Sequence, residues 1–379
     1  MAKKFIRIFL ILAVVLALLG SSVASAALPT AACAPCVSGF GGSALPTDGV
    51  LATGVSPRTG ADYSSLKVYV GGIPFGVKFM TEGVILTGVC DVKTSSGSVC
   101  PAAKAGLKQG DVITLVNGTP IVDASTLTCA TESSGGKAIT LEYTRDGKRA
   151  STSLTPALCA EDGKYKTGML VRDSGAGIGT VTYVIPGTLD FGGLGHGICD
   201  ADTGRLTPMG RGSVVGVTIN GVIKGLSGTP GEVKGFFSSG KTGTLLKNTE
   251  CGVFGAFASL PSGLSSELIS LGTRGELKAG KAYILSTLEG TTPKKYEIEI
   301  SEIRLSSTSN KCFTVKVTDP ALLQKSGGIV QGMSGSPIIQ NGKLVGAVTH
   351  VLINDPTTGY GIFIENMLSA SQMTMRNAA

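Results

Sequence analysis

Apolar and polar residues alternate in short bursts along most of the chain, and the bursts are separated by glycine, proline, asparagine and serine. The alternation predicts strands at Val68–Val70, Gly76–Phe79, Val84–Val89, Val112–Val116 and Ile139–Tyr143. A second series follows at Gly179–Ile185, Ser213–Ile219, Thr244–Lys247, Lys281–Thr287, Tyr296–Ile303, Phe313–Val317, Ile338–Ile339 and Lys343–Val351. So many short strands after Lys166 fit a closed antiparallel barrel or a pair of barrels, and Ile364–Met375 reads as one terminal helix. The expected fold is mainly β.

The N-terminal end breaks this pattern. Lys3, Lys4 and Arg7 precede an apolar run from Ile8 to Leu19 and the small-residue stretch Ala24-Ser25-Ala26, the marks of an export segment too short for a comfortable membrane span. Ala27–Ser65 is rich in Gly, Ser, Pro and Thr without an apolar period and reads as a tether. The chain is therefore divided into a signal or anchor segment (1–26), a linker (27–66), a first β domain (67–160) and a second (161–379).

Composition sharpens the picture in three places. Fifty-five glycines and no tryptophan in 379 residues suit strands and turns, not helix bundles. The net charge of +7 is spread with no basic block beyond the N-terminus, so no nucleic-acid partner is expected. Nine cysteines in an exported chain allow disulfides, with one at least unpaired, and Cys90 and Cys100 are placed to staple the insert Asp91–Val99. Cys33-Ala-Pro-Cys36 lies in the tether, the chain has only two histidines, and no metal or organic cofactor is implied.

Within the first domain, Ala102-Ala103-Lys104-Ala105-Gly106-Leu107 leads through Gly110-Asp111 into Val112–Val116 and Asn117-Gly118. This order of short helix, Gly-Asp turn, strand and Asn-Gly hairpin resembles the PDZ family. The resemblance implies a module that adds a peptide as an extra strand and holds its carboxylate with backbone N–H groups. That loop is expected at Ile73–Val77, with Phe75, Gly76 and Val77 as peptide-binding residues. The alternative is a module that only packs against its neighbour.

The chemistry concentrates in Gly327-Gly328-Ile329-Val330-Gln331-Gly332-Met333-Ser334-Gly335-Ser336-Pro337. A serine between glycines on a tight turn exposes its hydroxyl, and the N–H groups of Gly332 and Ser334 are the candidate oxyanion hole. The hydroxyl needs a base, and only His196 and His350 exist. His196, in Gly195-His196-Gly197, is favoured; His350 sits on an apparent strand and reads as a residue lining the cleft. The third member should be a carboxylate. Asp319, at a strand end before Pro320, is the choice, with Asp200 second; Asp202 also lies near His196.

Longer stretches carry a further resemblance. Met169–Thr180, Leu194–Gly204, Gly327–Ile339 and Gly346–Val351, with Asn354-Asp355-Pro356 and Gly359–Asn366, together resemble the stage IV sporulation protein B (SpoIVB) peptidases, and the order of export segment, PDZ-like domain and peptidase matches. The resemblance implies a chymotrypsin-like serine endopeptidase exported from the forespore into the space between forespore and mother-cell membranes. It implies self-cleavage and cleavage of a membrane-anchored inhibitor of an intramembrane protease, which leads to pro-sigma-K processing. The family's histidine, aspartate and serine fall on His196, Asp319 and Ser334. The expected partners are this substrate, the chain itself, a peptide or C-terminus at the PDZ-like groove, and the membrane through the N-terminal segment. The competing reading is a PDZ-based binding protein with an inactive peptidase-like domain.

Overall fold

The computed structural model describes residue 63 and residues 65–371. The export and tether expectations for 1–26 and nearly all of 27–66, and the Cys33–Cys36 pair, lie outside those residues. The chain begins with β1 (Lys67–Val70) and a long β2 (Pro74–Val89). Small elements follow: β3 (Val92–Thr94), β4 (Gly97–Val99), α1 (Pro101–Lys104), β5 (Val112–Val116), β6 (Thr119–Pro120), α2 (Ala124–Ser133), β7 (Ile139–Arg145), β8 (Lys148–Leu154), β9 (Ala157–Leu158) and β10 (Tyr165–Lys166). Long strands then return as β11 (Met169–Val184), β12 (Asp190–Gly193), β13 (Met209–Ile223), β14 (Glu232–Thr249) and β15 (Gly252–Phe257). After β16 (Leu268–Ser270) come β17 (Gly280–Ser286), β18 (Lys294–Ser301), β19 (Phe313–Val317), α3 (Pro320–Ser326), β20 (Pro337–Gln340), β21 (Lys343–Leu352), β22 (Asp355–Phe363) and α4 (Ile364–Ser371).

Two barrels result. In the first, β2 pairs β11, β11 pairs β12, β12 pairs β15, β15 pairs β14, β14 pairs β13 and β13 returns to β2, all antiparallel, so six strands close on themselves. Alternation fills it: Phe75, Val77 and Phe79 of β2 point inward while Lys78 is exposed, and Phe75 meets Phe191 with ring centroids 5.6 Å apart. The second barrel closes in the order β17-β18-β19-β22-β21-β20 around Ile284, Ile298, Phe313, Val315, Ile338 and Phe363.

The PDZ-like elements come first in the chain, as expected, and the strands that flank them, the start of β2 and the end of β11, both belong to the first barrel. At Gly83, with φ +78°, β2 bends out of the barrel, and Val84–Val89 carries the same continuous sheet away from it, pairing Val84 with Ile113 on β5 and Leu86 with Val171 on β11. That sheet continues through β7 and β8 over a separate core of Val84, Leu86, Leu107, Ile113, Leu127 and Leu141. The Gly-Asp turn acts as a lock here: buried Asp111 takes Arg145 Nε and one terminal nitrogen, both at 2.7 Å, and the Lys108 N–H at 2.8 Å. The first β domain expected over 67–160 is therefore not self-contained at its start. One continuous apolar strand serves both units, and residues 74–80 belong to the barrel.

The expected peptide-binding residues move with it. Phe75, Gly76 and Val77 pair with Gly179, Ile178 and Gly177 on one side and with Gly216, Val215 and Val214 on the other, which leaves no strand edge for a ligand. The strand beside α2 is instead the start of β11, where the Ala124 N–H bonds Asp173 at 2.9 Å and Leu127, Thr131, Met169 and Val171 share a cavity of about 420 Å³. The cysteines also differ from expectation: all seven among the described residues are unbridged, Cys90 and Cys100 included.

Candidate active site

The turn that carries Ser334 leaves α3 at Gly327 and is pressed onto the first barrel. Gly335 has φ +93°, and a Cβ there would lie 2.1 Å from the Thr180 carbonyl oxygen and 2.4 Å from the Leu194 nitrogen, so no side chain fits. Strand β11 clamps the turn: the Thr180 N–H donates to the Ser334 carbonyl at 3.0 Å, its hydroxyl to Gly332 O at 2.8 Å, and the Thr182 hydroxyl to Gly335 O at 2.8 Å. Gly335 N–H is spent on Val348 O at 2.7 Å. Among the described residues, no hydrogen bond engages the N–H of Gly332 or of Ser334. The half-buried Ser334 hydroxyl donates to the Thr349 carbonyl at 2.8 Å.

His196 reaches the same cleft from the end of β12. Leu194 and Gly195, with φ +63° and +68°, turn the chain left-handed and swing the imidazole toward the second barrel. A Cβ at Gly195 would come within 2.9 Å of the Thr349 methyl, so the two loops touch. His196 Nδ1 lies 2.8 Å from the Gly197 carbonyl oxygen. A carbonyl only accepts, so this bond places the proton on Nδ1 and leaves Nε2 as the basic nitrogen. Burial lowers the His196 pKa below the ordinary histidine value, partly opposed by the Gly197 bond.

Asn248, at the end of β14, fixes the loop that follows. Its Oδ1 accepts the Ile198 N–H at 2.8 Å, and its Nδ2 donates to Ile198 O at 2.8 Å and Thr207 O at 3.0 Å. The His350 ring lies 4.8 Å from the His196 ring, centroid to centroid, with its buried Nδ1 unpartnered. Burial, then His196, then Lys311 pull the His350 pKa down to about 4. Ser334, His196, Thr349 and His350 line one cleft of about 680 Å³.

Asp319 is not in this cleft. Pro320 opens α3, which makes Asp319 its N-cap: one carboxylate oxygen accepts the Leu322 N–H at 3.0 Å and the other the Glu297 N–H at 3.2 Å. The sequence signal, a strand-end aspartate before proline, describes a helix cap as well as a triad acid. Asp200 is engaged elsewhere too. It binds Arg172 and the N–H groups of Thr203, at 2.9 Å, and Asp202, at 3.2 Å. Burial alone would raise its pKa, but these partners hold the carboxyl below the usual range. Asp202 pairs with Arg172 at 2.6 Å. Among the described residues no carboxylate contacts either imidazole. Sequence reasoning missed Thr180, Thr182, Thr349 and Asn248. The i, i+2 spacing of the two threonines on β11, which puts their hydroxyls on one face, is the signal that points to the first two.

The model of the SpoIVB peptidase S55 family matches residues 163–368, more than half of the chain, and a PDZ domain model matches residues 76–155. The protein named "Putative zinc metalloprotease LL2128" from Lactococcus lactis subsp. lactis is 35% identical over 97 residues, 25% of this chain and 22% of that protein. "Putative zinc metalloprotease NMA0084" from Neisseria meningitidis is 36% identical over 88 residues, 23% of this chain and 17% of that protein. The chain thus spans about a fifth of these relatives, and among its described residues no cluster of three or more His, Cys, Asp or Glu stands ready to hold a metal. The solved PDZ domain of the SdrC-like protein Lmo2051 from Listeria monocytogenes is 22% identical, covers 24% of this chain and 87% of its own, and superposes with a TM-score of only 0.20. Two closed barrels, a glycine-flanked serine at their junction and a family match over most of both make the conclusion plain: the chain belongs to the SpoIVB peptidase S55 family and carries a PDZ domain within it.

Proposed function

We propose that the chain is a serine endopeptidase in which Ser334 is the nucleophile, His196 the general base and acid, and the N–H groups of Gly332 and Ser334 the oxyanion hole. The observation that carries this reading is the meeting of Ser334 and His196 in one cleft, with β11 of the first barrel clamping the nucleophile's turn. With its pKa lowered, His196 is uncharged at neutral pH, and Nε2 is the nitrogen free to accept. The Ser334 hydroxyl must first rotate from Thr349 O toward that nitrogen. Oγ then bonds the peptide carbonyl carbon as its proton passes to Nε2, and the displaced electron pair rests on the carbonyl oxygen beside the two N–H groups. Collapse breaks the C–N bond, the imidazolium returns the proton to the leaving amine, and water repeats the sequence to release the acyl group. The Gly197 carbonyl fixes the tautomer, the part of a triad acid's role that needs no charge.

Family membership supports a finer proposal: export from a forespore, self-cleavage, and cleavage of a membrane-anchored inhibitor whose loss frees an intramembrane protease to process pro-sigma-K. The PDZ-type unit would take a peptide or chain terminus. One observation favours the alternative of a peptide-binding protein with a silent peptidase domain. The serine hydroxyl is bonded to Thr349, and among the described residues neither imidazole has a carboxylate partner. Incubating the purified chain and sequencing new N-termini separates the two: wild type is expected to yield fragments that Ser334→Ala does not. Identical fragments from both would overturn the endopeptidase reading.

A further inference from the structure

We infer that the cleft selects substrates with an uncharged, apolar side chain at the residue whose carbonyl Ser334 attacks. This rests on the endopeptidase reading and adds a substrate class to it. Three features of the cleft carry the inference.

The first is its lining. Among the described residues the walls around Ser334 and His196 contain no Asp, Glu, Lys or Arg; Ile329, Val330, Val351 and Ile353 line the second-barrel side, with Ile178 of β11 also in the lining. A charged head drawn into such a wall loses its water and finds no counter-charge, which is a strong selection against it. The second is the backbone that would hold a substrate. The ladder between β20 and β21 stops at the pair Pro337–Ala347, so among the described residues β21 from Thr349 to Leu352 has no strand partner on that side. Ser334 Oγ rests on the Thr349 carbonyl at the start of this edge. An extended polypeptide added there as a strand brings its carbonyl to the nucleophile and one side chain into the gap between Val351 and Ile353 on one wall and Ile329 and Val330 on the other.

The third feature is the floor. A Cβ on Gly359 would lie 2.4 Å from the His350 carbonyl oxygen and 2.7 Å from Ile329 Cδ1. The chain at Gly359 is packed tight against Ile329, which holds that isoleucine's methyl groups in the cleft wall. Ile329 and Val330 are themselves 3% and 1% exposed, fixed in the second-barrel core, so the wall cannot turn a polar face outward. Among the described residues, Gln331 and Cys199 supply the only other polar side chains of the lining besides His196, His350, Ser334 and Thr349, and all are neutral at pH 7.

The test uses the full-length chain and an equimolar library of unstructured peptides, with cleavage sites read by mass spectrometry. A fluorophosphonate probe applied beforehand reports whether Ser334 is a reactive nucleophile. The expected result is cleavage after Ala, Val, Leu, Ile or Met at least ~100-fold faster than after Lys, Arg, Asp or Glu. The exposed rim residue Ile353 offers a second reading without touching the core: Ile353→Glu is expected to narrow the gap for Lys by ~10-fold, and an unchanged ratio of Lys to apolar cleavage in that variant would overturn the inference. Cleavage after charged residues at rates equal to apolar ones overturns the inference and leaves the endopeptidase reading standing. A library left uncut by a chain whose Ser334 takes the probe also overturns it, because the library contains the apolar sequences. A chain that neither labels nor cuts fails at the endopeptidase reading itself.

Discussion

Replacing Asn248 with alanine isolates what holds the base in place. The side chain makes three bonds to the backbone around His196, and the change removes all of them. Ile198 N–H loses the only acceptor it has among the described residues, which costs ~1–3 kcal/mol where water cannot replace it. Ile198 O retains the Thr207 N–H at 2.9 Å, and Asn248 is only half-buried, so the other two losses are small. The sum is ~2 kcal/mol, a fall in melting temperature of ~4–8 °C for a unit of this size. The same loosening frees the loop that presents Nε2, and a kcat lower by ~10–100-fold with little change in KM is expected, since substrate contacts are untouched. Peptide hydrolysis and thermal unfolding measured on one preparation check both numbers. Asn248→Asp is the control: it keeps the Ile198 N–H acceptor but sets lone pairs against two carbonyls, so it should be no better than alanine. Wild-type kcat in Asn248→Ala would refute the positioning role, and a gain in Asn248→Asp would mean that a carboxylate at this end of β14 completes the site.

Asp319→Asn retains a good helix cap, so kcat/KM is expected within ~10-fold of wild type, whereas a fall near 10⁴ would restore its carboxylate to the imidazole. His196 must be neutral to act, and its pKa is depressed, so the acid limb of kcat/KM is expected below pH 6.5; a midpoint above that value would contradict the burial described here. His350 titrates near 4 when folded and ~6.5 when unfolded, so the unfolded chain takes up the proton first. This contribution is complete above pH 6.5 and is lost as pH drops from 6.5 toward 4; urea midpoints across that range should slope in wild type and slope less steeply in His350→Gln, where His196 alone of the two still contributes. Thr182→Val removes the hydroxyl on Gly335 O without changing volume, and should cost ~1 kcal/mol and lower kcat more than it raises KM.

Much of this was legible in the alternation of apolar residues. Phe75-Gly76-Val77-Lys78-Phe79, Phe313–Val317 and Lys343–Val351 read as strands because one face of each had to be buried, and they are strands. Gly252–Phe257 and Asp355–Phe363 escaped because glycine, threonine and proline dilute their pattern, although tertiary pairing makes both central to their barrels. The insertion of the PDZ-type unit was hidden for a different reason. Nothing in Pro74–Val89 marks the place where the strand leaves the barrel for the PDZ-type unit except Gly83, a single residue among many glycines. At the site, Ser334 and His196 stood out by their glycine setting, which is also what lets their loops interlock. Asp319 shows the limit of such reasoning, since an aspartate before proline at a strand end satisfies two roles and only packing chooses between them.

Activation of Ser334 by His196 is read out by the rate at which a fluorophosphonate labels the chain. The account predicts a single modified residue, Ser334, with labelling at least ~100-fold slower in His196→Ala. Equal rates in wild type and His196→Ala, or label on another residue, would contradict it.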